Sequence, residues 1–176
     1  MSNFNPILPK DFDASKVKFS SSKTMTSGAK LFFLEYEGSP IYIQSPEMDI
    51  TFDPQVFEDG PNSKFNIKSN INLSNETSKV FHDKMLEFDE KLKELAKENS
   101  VEWFRKKNIS NDVIDSMFTN TIKIHTDPET GEPTGRYPPS FGFKIKKKDG
   151  KIECRCFNED KSEINFNNKD EDILIH

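Results

Sequence analysis

The chain has 176 residues, 33% hydrophobic and 31% charged, with a formal net charge of −5 and sixteen phenylalanines against one tryptophan. That content fits a single globular domain filled by aromatic and isoleucine side chains. No run is long enough to cross a bilayer and no basic segment precedes an apolar one at the start, which excludes a membrane span or secretory leader and predicts a soluble intracellular protein.

Residues 1–15 carry Pro6 and Pro9 and little periodicity, so they read as an N-terminal arm, flexible or draped over the domain, outside the core. KVKFSSSKTMTSGAK, residues 16–30, begins as a short strand and passes into a Ser/Thr-rich basic loop that faces phosphate or water. LFFLEYE and IYIQ, separated by Gly38-Ser39-Pro40, predict a hairpin buried on both faces, which Pro46 interrupts and MDITF resumes as far as Asp53-Pro54. KFNIKSNINL, residues 64–73, alternates: Phe65, Ile67, Ile71 and Leu73 point inward, while Lys64, Asn66, Lys68, Asn70 and Asn72 point out.

Asn75 offers an N-cap, and Phe81, Met85, Phe88, Leu92 and Leu95 then follow at helical spacing, predicting an amphipathic helix to about residue 98. Ser100 and Ser110 read as caps of two further short helices, VEWFRKK and NDVIDSMF, so a helical block occupies about 75–118. TIKIH resumes the strand pattern, and a loop rich in Pro and Gly leads to RYPPSFGFKIKKKDGKIECRC, residues 136–156.

In that last stretch Asp149-Gly150 is a hairpin turn, because a two-residue loop needs positive φ at both positions. Pairing 141–148 with 151–157 places Lys144, Lys146, Lys148, Lys151, Glu153 and Arg155 on one face and Phe143, Ile145, Ile152, Cys154 and Cys156 on the other. Lys144 opposite Arg155, and Lys148 opposite Lys151, are like-charge pairs that cost stability. Either a polyanion offsets that cost, or the lysines form a solvated face that keeps a sheet edge from pairing. Residues 136–156 hold seven basic and two acidic side chains, and residues 157–176 hold two basic and six acidic ones. A basic patch therefore precedes a short acidic C-terminal segment, 161–176.

The order strands, helical block, strands predicts an α+β, mainly β fold: an OB-like antiparallel barrel over residues 16–160 with a helical insertion. No phosphate-cradling glycine motif, GxSxG, HExxH or paired CxxC is present, and the three histidines are scattered, so the sequence predicts no enzyme, cofactor or metal. Asp49 and Asp53 stand near a turn without a base or nucleophile. Cys154 and Cys156 lie two apart on one face of the expected strand, where a disulfide would be strained and a reducing compartment is the easier reading.

A binding surface remains. Lys and Arg on strand faces beside exposed rings suit single-stranded nucleic acid, since cations follow phosphates while bases stack. Taken together, LFFLEYE, IYIQSPEMDITF, KFNIKSNINL, the helix with FHDKMLEFDEKLKEL, Trp103-Phe104-Arg105 and PPSFGFKIKKKDGKIECRCF resemble the single-stranded DNA-binding proteins of podovirus-type phages and their relatives in large nucleocytoplasmic DNA viruses, over about residues 28–160. The resemblance implies an OB-type barrel with an inserted helix that binds single-stranded DNA in viral replication, recombination or repair, without a cofactor. It also implies that an acidic C-terminal segment recruits replication proteins; Asp170, Glu171 and Asp172 stand there, before a terminal Ile-Leu-Ile-His.

The candidate contacts are Arg136, Lys144, Lys146, Lys148, Lys151 and Arg155 for phosphates, Tyr137 and Phe141 for stacking, and Lys64 and Lys68 as flanking cations. Phe141 shares the parity of Phe143 and Ile145, so core is its other reading. A homodimer is compatible with the sequence and a membrane partner is not expected. The alternative function is a protein-interaction or scaffold module whose basic face docks an acidic partner.

Overall fold

A computed structural model of the protein describes residues 6–50, 55–57, 64–149, 151–152 and 154–164. After two 3-10 turns, Pro9–Asp11 and Ala14–Lys16, come β1 (Val17–Thr24), β2 (Lys30–Tyr36), β3 (Ser39–Pro40), β4 (Asp49–Ile50), β5 (Gln55–Phe57) and β6 (Lys64–Asn70). The helices follow as α1 (Glu76–Glu98), α2 (Ser100–Phe104) and α3 (Asn111–Met117). The chain then returns to strands: β7 (Ile122–Lys123), β8 (Ser140–Lys148), β9 (Lys151–Ile152), β10 (Cys156–Phe157) and β11 (Glu163–Ile164). The fold is mixed α and β with antiparallel sheets, and the described strands do not close into one barrel. The chain divides into two compact units, Met1–Glu47 with Asn72–Ile122 and Met48–Ile71 with Lys123–His176.

In the first unit β1 and β2 pair antiparallel with a bulge between Phe19 and Ser21, and a turn through Glu37 and Gly38, at φ 50° and 78°, leads to β3. Glycine at the second position carries that positive φ without a Cβ penalty. The Ser/Thr-rich segment expected to be mainly loop is thus an eight-residue strand, because its serines only have to face solvent on a ribbon whose other side packs. That packing side carries Phe19 and Phe32, which meet Trp103 at ring-centroid distances of 5.5 and 4.4 Å. The indole Nε1 of Trp103 is buried with no hydrogen-bond partner among the described residues. Leu31 and Phe33 stay exposed. β2 is therefore buried on one face only, where the sequence suggested two.

The helix α1 forms as its pattern requires. Asn75 accepts a hydrogen bond from the Ser78 backbone N–H at 3.1 Å, and Phe81, Met85 and Leu95 are buried. Buried Asp89 accepts from the backbone N–H and hydroxyl of Thr121 at 2.8 and 3.1 Å, tying the end of the helical block to α1. The expected arm belongs to the core: Phe12 is 1% exposed and contacts the rings of Tyr36 and Phe88. Ile7 also forms a parallel bridge with Ile43, so IYIQ pairs with the N-terminal segment in place of extending the β2 hairpin. A lone phenylalanine just after two prolines has no periodicity to announce burial; only a distant partner does.

In the second unit β6 is central, with β4 and β5 along one edge and β8 antiparallel on the other. Phe65, Ile67, Ser69 and Ile71 are buried, as the alternation demands, but Leu73 falls in the turn before α1 and is exposed. The turn at Asp149, with φ 50°, brings Lys148 opposite Lys151 as expected. The returning strand then stops at Ile152, and β10 pairs with β11 through Cys156–Ile164 and Phe157–Glu163. In place of the long 141–148/151–157 hairpin, β8 pairs with β9 only through Lys147–Ile152 and Lys148–Lys151 among the described residues, and has β6 and β7 as its neighbours in the sheet.

Candidate nucleic-acid interface

The β6–β8 register sets Lys64 opposite Lys146, Asn66 opposite Lys144 and Lys68 opposite Gly142. With a side-chain period of two these residues share one face of the sheet, and Phe65, Ile67, Phe141, Phe143 and Ile145 share the other. Lys64, Lys68, Lys144 and Lys146 are all exposed. Lys68, Lys144 and Lys146 make no ion pair among the described residues. Gly142 adds no side chain between Lys68 and the rest of β8, so backbone is open there. Asp49, paired with Asn70, is the acidic position that the register adds to this face within β4, β5, β6 and β8. Lys64 opposite Lys146 is a like-charge pair that costs a few tenths of a kcal/mol or more in the unliganded sheet.

The structure therefore joins the main candidates Lys144 and Lys146 to Lys64 and Lys68, which the sequence treated as flanking additions. Lys148, at the end of β8, pairs across the turn with Lys151 of β9. Arg155 is not opposite Lys144. It lies between β9 and β10 and forms a two-pronged pair with Glu163, Nε at 2.8 Å and Nη2 at 3.0 Å. That guanidinium holds the exposed Glu163 carboxyl below its ordinary range. Arg155 nevertheless lines, with Lys144 and Lys146, an open cavity of about 410 Å³ whose other walls are Phe143, Ile145, Cys154 and Cys156.

Phe141 takes the apolar face, half-buried, with its carbonyl accepting from the Ser69 hydroxyl at 3.1 Å. Its core parity prevails, so it does not stand among the lysines. Tyr137, by contrast, is exposed in the loop before β8, with the Arg136 guanidinium 5.3 Å from its ring centre and His125 edge-on at 5.0 Å. His125 was not anticipated, because eleven residues separate it from Arg136. A Thr126–Pro133 bridge folds the loop back and brings it there, with the His125 ring 2.8 Å from the Thr134 hydroxyl. Asp127 braces the loop tip by accepting from the backbone N–H groups of Thr130 and Glu129, which hold its carboxyl below the usual range.

Among the described residues no group of three or more His, Cys, Asp or Glu side chains is placed to hold a metal ion. No described helix is long and apolar enough to cross a membrane. No family model, curated protein or solved structure matches the chain.

Proposed function

We propose that the chain binds single-stranded DNA without sequence preference, with the β6–β8 lysine face as its phosphate track. The carrying observation is the cross-strand register: Lys64 against Lys146, with Lys68 and Lys144 on the same exposed face. Bound phosphates offset like charges set across a strand pair, and phosphate contacts release counterions from the nucleic acid. Tyr137, exposed beside Arg136, serves as the stacking ring, and base–ring stacking tolerates any base. Exposed α3 positions are Asn111, Asp112, Val113, Asp115, Ser116 and Met117, without an arginine or lysine, so α3 offers no cationic face to a duplex.

The same reading takes the strand–helix–strand order as an OB-type plan. It assigns the protein to viral replication, recombination or repair, with the acidic C-terminal segment meeting a replication protein. Fluorescence anisotropy of a labelled oligo-dT of about thirty nucleotides, beside a duplex of equal length, tests it. Preferential single-strand binding that falls steeply with salt is the expected result. Absence of binding to either at low salt would overturn the proposal and leave the protein-docking alternative.

A further inference from the structure

Cys154 and Cys156 are separated by one residue, yet their sulfur atoms lie 3.9 Å apart. In a continuous strand, alternate residues are spaced by roughly 6.6 Å along the chain. The approach arises because the chain bends at Cys154 between β9 and β10, so the premise of one flat strand face does not hold. Both thiols are half-buried and both line the cavity of about 410 Å³ shared with Lys144, Lys146 and Arg155. They are thus close to each other and reachable by a small reagent.

Two paired thiols can clasp a soft metal ion or exchange electrons. The surroundings favour the second. Lys144 and Lys146 line the same cavity, beside Arg155 in its pair with Glu163; these lysines repel a metal cation and attract an anionic reagent, and the described residues supply no third donor.

We propose that Cys154 and Cys156 are a dithiol site that forms a reversible intramolecular disulfide by exchange with small anionic disulfides. The Cys156 thiolate attacks one sulfur of the reagent; the reagent's S–S bond breaks and its first thiolate leaves, taking up the proton that Cys156 lost. Cys154 then gives its proton to solvent and attacks the Cys156 sulfur, releasing the second thiolate. Two cysteine thiols are oxidised by two electrons, and one small disulfide is reduced to two thiols. Burial first, and then the neighbouring Cys156, push the Cys154 thiol up to about 11. Cys154 accordingly acts second. A reducing thiol returns the disulfide to the dithiol by the same exchange.

The test uses the folded full chain, glutathione disulfide at mildly alkaline pH, an alkylation quench and intact mass with peptide mapping. It contains no nucleic acid and stands apart from the DNA-binding proposal. The expected product is monomeric, two hydrogens lighter, cross-linked between Cys154 and Cys156, and returned to the dithiol by dithiothreitol. Cys154→Ser should stop at a single glutathione adduct on Cys156. A doubly glutathionylated wild-type chain, a disulfide-linked dimer, or a folded chain that does not react while the urea-unfolded chain does would each overturn the proposal. The wild-type mapping decides the matter even if the variant fails to fold.

Discussion

The β1–β2 ribbon and the β6–β8 pair are each joined by seven register pairs, yet they treat their cations in opposite ways. On β1–β2, Lys18 stands opposite Glu35, Lys30 donates to the Glu102 carbonyl at 2.7 Å, and neighbouring Lys16 pairs with Glu37 at 2.7 Å. On β6–β8 the partners of lysine are lysine, asparagine and glycine. Lysine number does not separate the two ribbons; the identity of the residue across the strand does. In the first case a carboxylate or carbonyl faces several of the cations, and in the second the cross-strand register sets lysine against lysine, asparagine or glycine.

The comparison can be broken most strongly from the β1–β2 side. Trp103→Ala removes the ring shared by Phe19 and Phe32 and should destabilise the protein by about 3–4 kcal/mol in urea unfolding. The affinity of the folded fraction for oligo-dT should stay unchanged. Trp103→Phe should cost much less, because the indole Nε1 it deletes has no described partner. If Trp103→Ala abolished DNA binding in still-folded protein, the division of labour between the two ribbons would be wrong.

Reversing Lys144 and Lys146 to Glu should weaken oligo-dT binding by about two orders of magnitude. Exchange to Gln should lower the slope of log affinity against log salt by roughly 1.4, at about 0.7 per single-strand phosphate contact. The same reversal at Lys18 and Lys23 should change affinity by less than about threefold; an equal loss there would sink the assignment of the track to β6–β8. Tyr137→Ala should cost about 1–3 kcal/mol of single-strand binding. Because the residue is exposed, its unfolding free energy should move by less than about 0.5 kcal/mol.

The smallest effect concerns Glu163. Its carboxyl sits below the usual 4.5, so its pair with Arg155 is complete above that value and is lost only as pH falls through the depressed one. Glu163→Gln should raise low-salt affinity for oligo-dT by less than about threefold, by releasing Arg155 toward the cavity, and the gain should vanish in Arg155→Gln. A gain that persisted in the double variant would show that Arg155 takes no part.

Much of the candidate site was legible locally. The parity of Lys64, Lys68, Lys144 and Lys146 followed from alternation, and the turn at Asp149 brought Lys148 to Lys151 as the sequence required. Phe141 was ambiguous from parity and resolved to the apolar face. His125 and the pairing of Arg155 with Glu163 left no local signal, since both depend on which segments fold back beside one another.

By itself, then, the sequence determined the features that one element can encode: the α1 stripe and its Asn75 cap, the inward set of β6, and the face on which each β8 lysine lies. These follow from helical and strand periodicity, which act within a few residues. Only the tertiary structure decided that β8 pairs with β6 along its length, that Phe12 belongs to the core, and that the two cysteine sulfurs meet in a bend. Strand pairing and burial are contests among distant segments for the same hydrogen bonds and apolar surface. Their outcome is set by which contacts close together.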